Sequence, residues 1–269
     1  MKHCIQGKQA YIGNGGKPWL PDQPWILLLH GAQNDHSVWE MQAKTMAQTG
    51  WNVVSPDLPC HGQSEGQPLV TINAMADWVA SLITELGIIN PVIAGHSMGS
   101  LIAAELATKS QIGCKQLILL GTSLPMPVSD QLLAMTKENP AEAMRLICKW
   151  SHNPGKTLCG PHSAMDIASA SQRLMERIHQ ENSALTLFSD MNACNTYQPD
   201  LKALQDILIP VHVIAGEADK MTPLAAARKA AECFPHSQLH SIPSAGHALM
   251  TESSEEITDL MFSILNHSL

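Results

Sequence analysis

The chain has 269 residues, a net charge of -8 and 45% hydrophobic residues. That length suits one large α/β domain, or such a core carrying an insertion, with enough apolar surface to bury. The acidic balance, without any Lys/Arg cluster, excludes a surface that tracks phosphates, and no run of about 18 apolar residues exists to span a membrane.

Residues 1–12 read as a hairpin that turns at Gln6-Gly7. Met1-Lys2-His3-Cys4-Ile5-Gln6 carries no apolar stretch of the signal-peptide kind, so a cytoplasmic location is expected. Seven cysteines, at 4, 60, 114, 148, 159, 194 and 233, form no C-x-x-C pair. They make a poor disulfide framework and no zinc signature, and they fit reduced thiols in a reducing compartment.

Trp25-Ile26-Leu27-Leu28-Leu29 is continuously apolar, as strands buried on both faces of a parallel sheet are. Asn52-Val53-Val54-Ser55, Val92-Ile93-Ala94, Leu117-Ile118-Leu119-Leu120, Val211-His212-Val213-Ile214 and the 238–242 stretch are further strands. Helical spacing links Ile72, Met75, Val79, Leu82, Ile83 and Leu86, with Thr71 as N-cap and Gly87 as stop. Thr222-Pro223 is expected to open a helix as cap and first-turn proline. Ser253 and Glu256 form a capping box ahead of Ile257. Strands alternating with helices predict a mostly parallel central sheet with helices on both faces.

From about 123 to 200 no convincing strand occurs. Helices are expected from Asn139-Pro140 through Trp150, from Asp166 to Gln180, and over part of 184–193. The chain therefore divides into a core over 1–122, an all-helical cap over 123–200 and a second core segment over 201–269. The cap holds Met126, Met135, Met144, Met165, Met175 and Met191, whose flexible thioethers suit an irregular apolar pocket. Any one of them could equally pack the helices onto the core.

Gly95-His96-Ser97-Met98-Gly99 lies between an apolar strand and a helix-forming run, Ser100 to Ala107. A serine at such a turn is held in a strained conformation with its hydroxyl presented at the sheet edge. The helix N-terminus beside it favours developing negative charge. A hydroxyl needs a base oriented by a third group. Asp219, just past the end of a strand, is the expected acid, with Glu217 as runner-up. His247, in Pro243-Ser244-Ala245-Gly246-His247 after the final strand, is the expected base. The oxyanion donors are Met98 N–H and Ala32 N–H from the loop His30-Gly31-Ala32-Gln33, with Gln33 as second choice. His30, His61 and His96 are read as loop-orienting residues. Asp57 also follows a strand, but it precedes the nucleophile. His236 and His240 do not share a helix and no H-E-x-x-H occurs, so no metal site is expected.

Together, His30-Gly31 followed by Trp39, Pro56-Asp57-Leu58 with His61-Gly62-Gln63-Ser64, Gly95 through Gly99, Gly216 through Asp219 and Gly246-His247 resemble the α/β-hydrolase fold superfamily. The resemblance implies a serine hydrolase with a Ser97-Asp219-His247 triad, a variable helical cap at 123–200 and no cofactor. It disfavours relatives with an aspartate nucleophile, such as haloalkane dehalogenases and epoxide hydrolases. Pro59-Cys60 stands where many relatives carry Arg-Gly, which implies a missing polar contact from that loop and a Cys60 that is either a passive thiol, the favoured reading, or a reactive one near the pocket mouth. The implied substrate is a small or medium apolar carboxylic ester, with Gln33, Trp39, Met126, Met144 and Trp150 as candidate binding residues. A C–C bond hydrolase, lactonase or thioesterase is the alternative, and a non-catalytic ligand receptor on the same fold is the remote one. The cap arginines Arg145, Arg173 and Arg177 have no evident direction toward a pocket, which argues against a strongly anionic substrate. A homodimer is compatible with such a chain.

Overall fold

The structure, a computed structural model, describes residues 1–154 and 167–266. Its centre is an eight-stranded sheet: β1 (Lys2–Ile5), β2 (Lys8–Gly13), β3 (Trp25–Leu29), β4 (Asn52–Pro56), β5 (Val92–His96), β6 (Gln116–Leu120), β7 (Val211–Gly216) and β8 (Ser237–Ile242), in the order β1-β2-β4-β3-β5-β6-β7-β8. β1 and β2 form the expected antiparallel hairpin, with Gln6 and Gly7 both at positive φ, the backbone that a tight two-residue turn demands. From β4 to β8 every pairing is parallel.

Helices cover both faces: α1 (Glu40–Gln48), α2 (Ile72–Glu85), α3 (Met98–Ala107), α4 (Asp130–Glu138), α5 (Pro140–Ser151), α6 (Ile167–Glu181), α7 (Thr186–Thr196), α8 (Leu201–Gln205), α9 (Leu224–Ala231), α10 (Leu249–Glu252) and α11 (Ser254–Asn266). Alternate strand residues enter different cores. Leu27, Ile93, Leu117 and Val213 pack with α2 and α3. Ile26, Val92, Ile118 and Ile214 pack with α1 and α11. This two-sided burial is why the strands read as continuous apolar runs.

α4 to α7 form the helical insertion between β6 and β7, with no strand among its described residues. They carry a separate small core of Leu132, Ala143, Met144, Cys148, Met175, Leu187 and Met191. Burying each such Leu or Met stabilises by roughly 1.5–3 kcal/mol, so the insertion contributes to its own cohesion. α4, capped by the Ser129 side chain, was not anticipated. α6 begins at Ile167, and Cys159, Met165 and Asp166 lie outside the described residues. α7 runs Thr186–Thr196, two residues later at its start than 184 and three later at its end than 193.

One expected helix start is corrected. α9 begins at Leu224, with Pro223 at its N-cap in extended backbone. The Thr222 hydroxyl caps nothing and instead donates to Asp219. No helix among the described residues is long and apolar enough to cross a membrane.

Candidate active site

β3 lies between β4 and β5, so the chain leaves β3 to one side and later returns on the other. The crevice beyond the carboxyl ends of strands at such a reversal is where open α/β sheets bind ligands. Here the loop after β3, His30-Gly31-Ala32-Gln33, faces the turn after β5 that carries Ser97.

Ser97 has φ 54° and ψ -120°, a conformation that costs a non-glycine residue about 1–3 kcal/mol. The close approach of α3 to β3 holds it there. A Cβ on Gly99 would lie 2.3 Å from the Leu29 carbonyl oxygen, so only glycine lets helix and strand meet. Ser97 N–H donates to the Leu120 carbonyl at 2.9 Å, and its own carbonyl accepts from Ser100 N–H at 2.8 Å.

His247 Nε2 is 2.9 Å from Ser97 Oγ, and its Nδ1 is 2.8 Å from Asp219 Oδ2. Asp219 is buried and its carboxylate is filled. Oδ1 accepts from Met221 N–H at 2.7 Å and Thr222 N–H at 2.8 Å, and Oδ2 also accepts the Thr222 hydroxyl at 2.8 Å. Burial favours the neutral acid, but His247 and the donors from His247 and Thr222 outweigh it and hold the carboxyl below its ordinary value. Glu217 is exposed and accepts from Ser241 Oγ, away from His247.

The His247 loop rests on the insertion. The Ser151 carbonyl at the end of α5 accepts from His247 N–H at 2.8 Å and Ala248 N–H at 3.0 Å. Buried Glu252 accepts from Gly246 N–H through Oε2 and from Asn153 N–H through Oε1, both at 2.6 Å. His96 Nε2–H donates to the His247 carbonyl at 2.8 Å.

The other histidines are committed to loops. His30 Nδ1–H donates to the Gly31 carbonyl, and its Nε2 accepts from Leu58 N–H. Burial, reinforced by His61, pushes its pKa down to about 4. His61 has acceptors at both nitrogens, the Pro59 carbonyl at 3.0 Å and Asp190 Oδ2 at 2.9 Å. Burial opposes its charge, yet Asp190 raises its pKa overall. Among the described residues Asp35, His36 and Asp57 bring three possible metal donors together. Their oxygens already serve the fold. Asp57 accepts from His36 N–H, His36 Nδ1–H and Gln63 N–H, and Asp35 accepts from Ser37 and from Arg177.

Ser97 and His247 open into a cavity of about 80 Å³. Its wall includes Ile147, Cys148, Met175, Met191, Met221 and Met250, with Asn34, His152, Ser171 and Thr251 as polar points. Among the described residues no Asp, Glu, Lys or Arg side chain lines it. Arg145 pairs with Glu142 and Arg177 with Asp35. Ala32 lines the cavity, and Met98 opens α3 directly after Ser97. Gln33 N–H is taken by Asp190 Oδ2 at 2.8 Å.

The expected substrate contacts need correction. Trp39 is fully buried against the sheet, in the core with α1 and α11. Gln33 is fully buried, its amide donating to the Met175 carbonyl. Met126 packs into the core on the α2 and α3 side. Met144 and Trp150 belong to the insertion's own core. None of the five lines the cavity, because aromatic and thioether character does not say which way a residue faces. Asp190 escaped sequence reading altogether. Its one signal is a lone carboxylate in the otherwise uncharged stretch Thr186–Thr196.

The family model for the alpha/beta hydrolase fold matches residues 24–253. The chain belongs to this family. It is a hydrolytic, esterase-like enzyme by that membership. One relative is a 2-succinyl-6-hydroxy-2,4-cyclohexadiene-1-carboxylate synthase of Escherichia coli, 24% identical over 93% of this chain and 96% of its own. Another is a pimeloyl-[acyl-carrier protein] methyl ester esterase of Aromatoleum aromaticum, 27% identical over 89% and 97%. The enol-lactonase from Burkholderia xenovorans LB400 superposes with a TM-score of 0.84 at 18% identity, covering 99% of this chain and 100% of that one. That likeness extends to the fold.

Proposed function

We propose that this chain is a serine hydrolase that cleaves a small or medium, uncharged carboxylic ester through an acyl-enzyme. The observation that carries this reading is the continuous contact from Ser97 Oγ through His247 to Asp219, at 2.9 and 2.8 Å, beneath a cavity whose described lining holds no Asp, Glu, Lys or Arg.

In the proposed mechanism His247 Nε2 takes the Ser97 proton as Oγ attacks the ester carbonyl. Asp219, kept ionised by its donors, holds Nδ1–H and stabilises the imidazolium. Negative charge on the carbonyl oxygen is received by Met98 N–H and Ala32 N–H, each worth roughly 10²–10³ in rate when well aimed. The tetrahedral species collapses, His247 protonates the departing alkoxide, and an acyl–Ser97 ester remains. Water gives a proton to His247, attacks the acyl carbon and releases the acid, and the proton returns to Ser97 Oγ. Residues 123–200 act as the cap that shapes the acyl side. Cys4, Cys60, Cys114, Cys194 and Cys233 are free thiols, which supports a reducing, cytoplasmic setting.

Lactone hydrolysis is the same chemistry on a ring, and the cavity admits it. A described wall without Lys or Arg counts against a substrate with carboxylates, such as the name of the E. coli relative contains. A receptor without turnover has no need of a carboxylate with four donors aligned behind the base. The test compares wild type with Ser97→Ala on p-nitrophenyl esters of increasing acyl length, alongside fluorophosphonate labelling. Turnover and labelling confined to wild type support the reading. Equal turnover by both proteins overturns it.

A further inference from the structure

We infer that Asp190, on insertion helix α7, is a positioning residue that aims the Ala32 N–H at the oxyanion by fixing the backbone of Gln33. This rests on the serine-hydrolase reading above, since it assigns how that site's second oxyanion donor is held.

Asp190 is fully buried. Its Oδ2 accepts two hydrogen bonds, from Gln33 N–H at 2.8 Å and from His61 Nε2–H at 2.9 Å. Its Oδ1 is buried without a partner. A carboxylate is costly to bury, and fold cohesion is more cheaply obtained with apolar side chains. Here its acceptor atom is spent on the residue next to the proposed oxyanion donor. Gln33 itself has φ 53°, in the left-handed region that a glutamine enters only under constraint. An ionised acceptor makes a shorter and stronger bond to a backbone N–H than a neutral one does. The Asp190–Gln33 bond therefore holds the peptide turn after Ala32.

The rest of the loop is tied to the same insertion. Gln33 Nε2–H donates to the Met175 carbonyl on α6 at 3.0 Å, and Arg177 on α6 pairs with Asp35 at 2.6 Å. His61, with both nitrogens facing acceptors, donates Nε2–H to the same oxygen and holds Asp190 in place. The helices that grip the loop also supply Met175, Met191 and Ser171 to the cavity wall. The seat of the acyl group and the aim of the oxyanion donor thus share one framework. Misplacing a reacting group by about 1 Å can cost on the order of 10²-fold in rate.

The experiment measures kcat per Ser97 site titrated with fluorophosphonate, KM on a p-nitrophenyl ester, and the affinity of a trifluoromethyl ketone, whose tetrahedral adduct places an oxyanion in the hole. The proteins are wild type, Asp190→Ala and Asp190→Asn. Asp190→Ala is expected to lower kcat per titrated site by about 10²-fold, the scale of a lost oxyanion donor, with KM nearly unchanged. The ketone weakens in proportion to kcat/KM. Asp190→Asn recovers most of the loss, because an amide oxygen still accepts from Gln33 N–H. If Asp190→Ala does not fold, Asp190→Asn decides, with an expected drop of about 3- to 10-fold, the size of one weakened hydrogen bond, matched by the ketone. Wild-type kcat per site in Asp190→Asn, with only a lower melting temperature, makes Asp190 purely structural and overturns the inference alone. A wild type that neither labels at Ser97 nor hydrolyses any ester overturns the serine-hydrolase reading and this inference with it.

Discussion

Thr222 donates its hydroxyl to Oδ2 of Asp219, the same oxygen that faces His247 Nδ1. Its backbone N–H holds the other oxygen at 2.8 Å. The carboxylate is therefore pinned from one residue at both atoms, and Thr222 Oγ1 lies 3.2 Å from His247 Nδ1. Thr222→Val keeps the backbone bond and the shape and removes one neutral-to-charged hydrogen bond. Such a bond contributes on the order of 1–2 kcal/mol, so kcat should fall about 5- to 30-fold with KM nearly unchanged. Steady-state kinetics on a p-nitrophenyl ester decide this. An unchanged kcat means that Met221 N–H and Thr222 N–H suffice to hold Asp219.

Much of this arrangement is legible in the chain because turns have local causes. Gly95 and Gly99 bracket the serine, Asp219 follows an apolar strand, and Gly246-His247 follows the last one. The parallel sheet is legible for a related reason, since burial on both faces leaves continuous apolar runs. What is not legible depends on direction or on distance in sequence. Thr222 beside Pro223 reads as a helix cap, and only the fold reveals that its hydroxyl has a better acceptor in Asp219. Trp39 follows the His30 loop, yet it turns inward to the core. In the insertion, Met175 and Met191 line the cavity while Met144 does not, a difference of helix face that residue type does not encode. His61 and Asp190 are 129 residues apart, and no local pattern pairs them.

Asp57 offers a test of what the site does not need. It is fully buried and accepts from His36 twice and from Gln63 N–H. It organises the loops after β3 and β4 without touching His247. Removing it strands the three part-buried donors from His36 and Gln63, each costing about 1 kcal/mol or more. Asp57→Ala should lose about 3 kcal/mol of stability or more, read from denaturant unfolding. Fluorophosphonate should still label Ser97 in the folded fraction. Loss of labelling in a protein of wild-type stability gives Asp57 a catalytic part instead.

Acid sensitivity follows from two buried histidines. His30 is pushed down to about 4 by burial and then by His61, and His96 to about 3 by burial and then by His247. The cause at His96 is visible in its bonds, since Nε2–H serves the His247 carbonyl while Nδ1 is buried with no acceptor for a second proton. Unfolded histidine protonates near a pKa of about 6.5. Below that pH the unfolded chain takes up protons that the native state refuses. Each of these histidines then removes about 1.4 kcal/mol of stability per pH unit, down to its folded value. His61 runs the other way. Asp190 raises its pKa against the effect of burial, so its contribution is fully present below about 6.5 and is lost as pH rises through the raised value. Between pH 6.5 and 4 the depressed pair dominates. The melting temperature should drop by about 8 °C or more from pH 6.5 to pH 5, and His96→Gln, which can still donate to the His247 carbonyl, should flatten that slope. A melting temperature constant across this interval counts against both histidines being neutral in the fold.

The lack of Lys and Arg among the described residues of the cavity wall makes a sharper demand on the substrate than its size does. Among the described residues Ser97 and His247 open onto thioethers, Ile147 and a few polar groups, and the arginines Arg145 and Arg177 are engaged with Glu142 and Asp35. A carboxylate placed on the acyl chain would lose its water and find no Lys or Arg among the described lining residues. Even after relaxation such burial costs several kcal/mol, and about 2.7 kcal/mol is already 100-fold in kcat/KM. The matched pair is p-nitrophenyl hexanoate and the mono-p-nitrophenyl ester of adipic acid, which differ by a terminal carboxylate. Hexanoate should be preferred by about 100-fold or more on this scale, with most of the difference in kcat/KM. Ile147→Arg, which sets a cation in the wall, should narrow the gap by improving the adipate ester while leaving Ser97 labelling intact. Comparable kcat/KM for the two esters in the wild type means that the acyl chain reaches solvent instead of the cavity wall, and the size and polarity of the wall then cease to govern specificity.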